Sequence, residues 1–229
     1  MNKFLAAASV AALVVGAASS ANAVVVITTA TTADDLLGTS LLPGQVILED
    51  FDAISDANVL YVGNVVTTTP DPITNSAPPP WSGGTTVGGA TVPVDDTNYA
   101  SVQGGTTATF SALNGFAFTS FSFYMGSPDE YNEVTFNFVG GGSQVFSGNS
   151  IWGGSPAGDG DRTAGYRIFY DFEGKKVSSI TFASSQDAFE FDGLAGSLGV
   201  VPEPATWAMM IMGFGAAGTM LRSRRRVLA

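Results

Sequence analysis

Residues 116–124 read Phe116-Ala117-Phe118-Thr119-Ser120-Phe121-Ser122-Phe123-Tyr124, and shortly after them comes Val134-Thr135-Phe136-Asn137-Phe138. These two runs decide the fold. In the second, Val134, Phe136 and Phe138 alternate with Thr135 and Asn137, the period of a strand with one wet face. In the first, Phe116 and Phe118 share one parity while Phe121 and Phe123 take the other. A strict period of two would leave one pair in water. The run therefore predicts either a bulge near Thr119–Ser120 that restores the phase, or a strand covered on both faces.

The same signal extends in both directions. Tyr99–Gln103 and Thr106–Phe110 flank Gly104-Gly105, a hairpin pattern. Tyr166, Ile168, Tyr170 and Phe172 share one face, and Glu173-Gly174-Lys175 turns the chain. Val177–Ala183 and Ala188–Asp192 read as the last strands. Val46–Phe51 reads as the first good one, and Leu60–Val62 as a short second. Between residues 24 and 200 no window has helical amphipathicity, and no fixed repeat is present. An all-β fold follows: a single β-sandwich of the jelly-roll kind. Residues 64–97 hold six prolines, among them Pro78-Pro79-Pro80. Proline is excluded from central strands, so this Pro/Gly/Thr-rich excursion should lie over the surface.

Both ends carry signals. Lys3, the apolar run Phe4–Gly16 and Ala21-Asn22-Ala23 form a secretory signal peptide over residues 1–23. Cleavage after Ala23, with Ala21 at the other small-residue position, would start the mature chain at Val24. The Sec translocon and signal peptidase are the implied partners. At the other end Pro202-Glu203-Pro204 predicts an extended knuckle, because each proline fixes its own φ and restricts its predecessor. Residues 205–221 are uncharged. As a transmembrane helix they would reach about 25 Å, at the short end for a bilayer span. Trp207 stands where an interfacial aromatic would. Arg222, Arg224, Arg225 and Arg226 follow, and arginines beside a span stay on the cytoplasmic side. Three units result: 1–23, a surface domain 24–200, and a sorting segment 201–229.

Composition narrows the chemistry. There is no cysteine and no histidine, so disulfides, thiolate sites, imidazole zinc ligands and His-dependent triads are all excluded. Residues 24–200 hold nineteen acids and only Arg162, Arg167, Lys175 and Lys176 as bases, a net charge of −15. Nucleic acid is therefore a poor partner and a divalent cation a better one. A structural calcium bridging the first and last strands would draw on Glu49, Asp50, Asp52 and Asp192. Asp159-Gly160-Asp161 is a second place for it. Trp81 and Trp152, with Tyr124 and Tyr131, are the aromatic candidates for stacking on a sugar. A glycosidase needs a carboxylate pair, and nothing singles one out, so no catalytic residue is assigned.

Val201-Pro202-Glu203-Pro204-Ala205-Thr206-Trp207-Ala208, the apolar run and the arginine cluster together resemble the PEP-CTERM sorting signal in its Pro-Glu-Pro-x-x-Trp-Ala variant. The resemblance covers the last 28 or so residues and implies recognition by exosortase, an integral-membrane cysteine protease-transpeptidase. It further implies an inner-membrane intermediate, removal of the tail near Pro-Glu-Pro, and transfer to the outer cell surface or extracellular matrix. Such proteins occur in Gram-negative bacteria that make exopolysaccharide. Residues 121–132 and 188–194 are also similar to a subgroup of exosortase-dependent surface proteins, which adds no chemistry. The expectation is a non-enzymatic exported surface or matrix protein associated with exopolysaccharide or biofilm. The alternatives are a carbohydrate-binding module and a polysaccharide hydrolase.

Overall fold

The structure is a computed structural model that describes residues 26–30, 41–67, 76, 85–87, 90–92, 97–126, 129–153, 166–202 and 204–227. The signal peptide, with Ala21 and Ala23, lies outside the described residues, as do Trp81, Asp159, Asp161 and Glu203.

Among the described residues the strands are β1 Val26–Ala30, β2 Val46–Glu49, β3 Val59–Val62, β4 Val65–Val66, β5 Thr85–Val87, β6 Ala90–Val92, β7 Tyr99–Val102, β8 Thr106–Ala112, β9 Phe116–Met125, β10 Asn132–Phe138, β11 Ser143–Ser147, β12 Tyr166–Asp171, β13 Val177–Ser184 and β14 Phe189–Val200. A 3-10 turn spans Gly148–Trp152, and one helix, α1, spans Pro204–Val227. β5 and β6 pair only with each other. The other twelve form one antiparallel sheet with the path β11-β10-β13-β9-β14-β7-β4. β8 joins through β13 and carries β3, β12 joins through β9 and carries β1, and β2 joins through β14.

The sheet curls where β9 changes neighbour. Phe118 pairs with Val177 of β13, whereas Ser120–Met125 pair with β12. At that point Ser197 of β14 faces Ser120 and Leu198 faces Phe118, leaving Thr119 as the extra residue of a bulge. Thr119 Oγ1 donates to the Ser197 carbonyl at 3.1 Å. The bulge flips the phase, so Phe118, Phe121 and Phe123 all enter one core. Both expectations for this run hold at once, because the strand's other face is covered as well: Ser122 and Tyr124 are buried too.

The curl turns the inner faces of the two halves toward each other. Phe182 of β13 stacks on Phe191 of β14 with centroids 4.1 Å apart, and meets Phe123 edge-on at 5.5 Å. Phe136 of β10 packs on Tyr170 of β12 at 4.7 Å. Each buried phenyl ring contributes about 1.5–3 kcal/mol, and edge-to-face contact adds to it. β10 alternates as its sequence predicts, with Val134 and Phe136 buried and Thr135 and Asn137 half-buried. The mostly-β chain with one C-terminal helix matches expectation. The hydrogen bonding is continuous from half to half in a single curled sheet.

Strand structure extends further than the sequence suggested. β14 runs eight residues past Asp192, through Gly193-Leu194-Ala195-Gly196-Ser197-Leu198-Gly199-Val200. β4, β5 and β6 lie within the stretch read as an irregular excursion. From that stretch Ser76 is buried, and its Oγ contacts Ser101 Oγ at 2.8 Å and Tyr99 Oη at 3.3 Å. Ser76 therefore sits on the sheet's second face.

Candidate functional site

The sorting segment leaves directly from the sheet. Leu198, Gly199 and Val200 pair with Phe118, Ala117 and Phe116 of β9. One step on, the Val201 N–H donates to the Gly115 carbonyl at 2.7 Å. The Lys176 ammonium donates to the Val200 carbonyl. Pro202 has no N–H and ends the ladder. Pro204 is the first helical residue, a position that suits its fixed φ, so the expected extended knuckle does not include Pro204.

α1 is 24 residues long, about 36 Å at the usual rise. Trp207 is 54% exposed, and Ile211, Phe214 and Met220 are more so. The positions of Arg222, Arg224, Arg225 and Arg226 fall in its last turns. Among the described residues no helix is long and apolar enough to cross a membrane. What the structure shows of the expected spanning segment is one helix with exposed apolar side chains. Its uncharged run is short, and Gly213, Gly215, Gly218 and two threonines dilute its hydropathy.

The acidic candidates separate. Asp50, Asp52 and Asp192 line one cleft of about 150 Å³ with Ile47, Ile54, Thr97 and Gly193. Glu49 does not line it; its Oε1 accepts the Phe51 N–H at 2.9 Å. Asp50 Oδ1 accepts the N–H groups of Asp52, Ala53 and Ile54 at 2.7–3.0 Å, closing its own loop. Asp52 Oδ1 accepts the Asn98 N–H at 3.2 Å, and Asp192 Oδ2 the Thr97 hydroxyl at 3.4 Å. Among the described residues no three His, Cys, Asp or Glu side chains lie close enough to hold a metal ion. A calcium there would have to lean on carbonyls and water.

Of the aromatic candidates, Trp81 lies outside the described residues and Trp152 and Tyr124 are buried. Trp152 is 4% exposed and belongs to the hydrophobic core, because the 3-10 turn folds back under β10 and β11. A buried indole has no face to present, so its stacking role is corrected to a packing one. Tyr124 is buried. Tyr131 is half-buried and donates to the Asp187 carbonyl at 3.2 Å.

Sequence reasoning missed two features. The first is an open cleft of about 460 Å³ lined by Glu130, Tyr131, Asn132, Glu133, Thr107 and Ser184 among others. Four strands contribute to it, since Glu133 lies between Ser147 and Ala183, and Ala183 lies opposite Thr107. The spacing of Glu130 and Glu133 was the available signal, but no pairing could be inferred for it. The second is a buried polar layer on the sheet's second face. Register puts Arg167, Tyr124 and Asp192 side by side on β12, β9 and β14. Arg167 is fully buried, and its Nη2 donates to the Gly193 carbonyl at 2.7 Å. Glu190 and Asp192, just before Gly193 on β14, are buried as well.

No curated protein and no solved structure matches the chain. The family model for the PEP-CTERM protein-sorting motif matches residues 200–226. Its first residue is the last of β14 and it takes in nearly all of α1. The chain therefore carries a PEP-CTERM protein-sorting motif, the mark of an exported protein processed by exosortase.

Proposed function

We propose that the β-domain is a non-enzymatic component of the cell surface or extracellular matrix, associated with exopolysaccharide, and that the tail is its delivery address. The observation that carries this reading is the sorting motif, which begins at the last residue of β14, a strand of the aromatic core. Intact-mass analysis and fractionation of the protein from its own host test it. A tail-less domain in the surface fraction is expected; full-length chain in the cytosol would overturn the reading. We also infer that the curled sheet is a sandwich of the jelly-roll kind, its two halves facing each other across the Phe123–Phe182–Phe191 cluster.

A second reading, glycan binding, is favoured by the 460 Å³ cleft. Its volume falls in the range of small-ligand sites. Carboxylates, an amide, hydroxyls and a tyrosine are the groups that pair with sugar hydroxyls, and its lining contains no basic residue. Glycan-array binding lost in Tyr131→Ala and Glu133→Gln would support it. Polysaccharide turnover abolished by Glu130→Gln or Glu133→Gln would favour a hydrolase instead. Calcium is a proposal for the Asp50–Asp52–Asp192 cleft. A melting temperature raised by millimolar calcium over chelator, and not in Asp192→Asn, would support it; equal melts would remove it.

A further inference from the structure

One half of the sheet turns a nearly uncharged face to water. β3, β8, β13, β10 and β11 lie side by side in that order. Their inward residues, Phe110, Ile180, Phe182, Val134 and Phe136 among them, belong to the core. The residues between point outward, and register sorts them into rows that run across the strands. The central row is Val62, Thr109, Thr181, Thr135 and Val145. On one side of it stand Leu60, Ser111, Ser179, Asn137 and Ser143. On the other stand Thr107, Ala183, Glu133 and Ser147. All of them are half-buried or exposed. The last four also line the cleft of about 460 Å³, so the face runs into it without a break.

Glu133 is the only ionisable residue in the three rows, although residues 24–200 hold nineteen acids. The rows contain no aromatic and no basic residue. An ordinary solvated face mixes charges of both signs, and a protein-docking face concentrates aromatic residues and arginine. This one offers branched methyl groups, and hydroxyls that each donate and accept. Strands lie about 4.8 Å apart, and outward residues about 6.8 Å apart along each strand. The face therefore covers roughly 500 Å², against the about 800 Å² that each partner gives to a stable complex. A second copy is too large a demand for it. Neighbouring strands also rotate by about 20–25°. That twist turns the rows away from a rigid plane, but a chain with rotatable linkages can follow one.

We propose that this face is the binding track for a single extended chain of a neutral polysaccharide, laid across the strands along the Val62–Val145 row with one edge in the cleft. This rests on the glycan reading of that cleft. Sugar rings carry hydroxyls at their rims and C–H groups on their faces, which match hydroxyls interleaved with methyl groups. Charge selects the class. Glu130 and Glu133 stand in the cleft, and like charges repel a glycan built on carboxylates or sulfates. A glycan of repeated amines finds no second charge along the rows beyond Glu133. The face is also partly ordered in advance. Thr135 Oγ1 donates to Glu133 Oε1 at 3.3 Å, and Asn137 Nδ2 to Ser179 Oγ at 3.2 Å, so less side-chain freedom is lost on binding.

Affinity electrophoresis of the full-length chain in mild detergent tests the track. The gels hold hydroxyethylcellulose, galactomannan or the neutral fraction of the host's own exopolysaccharide, with alginate and chitosan gels beside them. Retardation by a neutral polymer, and by neither charged one, is expected. Thr181→Val and Thr135→Val keep the branched shape that strands favour. Each should weaken binding about fivefold, the worth of one hydrogen bond, with an unchanged circular dichroism spectrum. Affinity for fragments of the bound polymer should climb from disaccharide to hexasaccharide. Equal affinity for short and long fragments confines the ligand to the cleft and overturns the track while the glycan reading stands. Binding lost in Tyr131→Ala but unchanged in both threonine variants does the same. Preference for alginate or chitosan overturns the neutral class. No retardation by any polymer overturns the track and the glycan reading together.

Discussion

Arg167 shows how far a single residue can depart from its pattern. It alternates with Tyr166, Ile168 and Tyr170, which predicts a solvated side chain. Yet it is fully buried, because the second face of β12 is covered, and it supports the bulged carbonyl of Gly193. Arg167→Ala should cost about 3 kcal/mol or more by leaving a cavity and an unpaired carbonyl. Arg167→Met, closer in volume, should cost less, and urea denaturation separates the two. Tyr170 makes a pH prediction. Burial pushes its hydroxyl well above the usual value, and the hydroxyl donates to the Ile151 carbonyl at 2.7 Å. Burial also raises Tyr61, helped by the negative charge of Glu49. A neutral acid with a raised folded value stabilises fully below the unfolded value of about 10, and that stability is lost as pH climbs beyond it. Melting temperature should therefore fall above about pH 10, and Tyr170→Phe should flatten the fall. Without histidine, no side chain with an ordinary pKa titrates between about pH 5 and 8.

At the scale of the element, β9 was legible and β14 was not. The parity break between Phe118 and Phe121 announced either a bulge or a strand covered on both faces, because a strict period of two would leave one phenylalanine pair in water. β14 hid behind its glycines, which read as loop. The structure explains why they are there. A Cβ on Gly196 would stand 2.7 Å from the Ser120 carbonyl oxygen, and backbone cannot step aside. A Cβ on Gly199 would meet Thr119 Cγ2 at 2.9 Å, a methyl group on a side chain. Gly196→Ala should cost about 1–3 kcal/mol, as overpacking does. Gly199→Ala should cost less; thermal melts of both, side by side, check the order. Trp152 misled for the opposite reason. Its Gly/Ser-rich setting looks like exposed loop, and only the non-repeating 3-10 turn carries it into the core.

Over the whole molecule, β14 ties the halves of the sheet together and then hands the chain to the sorting motif. A chain ended after Val201 should keep a single cooperative melt, while one ended after Ala195 should lose it, because the pairing of Gly196–Val200 with β9 goes too. Far-ultraviolet circular dichroism with heating reads both. The sequence by itself determined the tail, the β class and the exclusion of thiol and imidazole chemistry, since those depend on which residues are present and on local spacing. Tertiary structure alone decided that three of the four proposed calcium aspartates and glutamates share a cleft, that Trp152 and Arg167 are inside, and that the domain ends flush with its own address. Each of those turns on which strands become neighbours. That is set by the curl of the sheet over many residues, and a two-residue period carries no record of it.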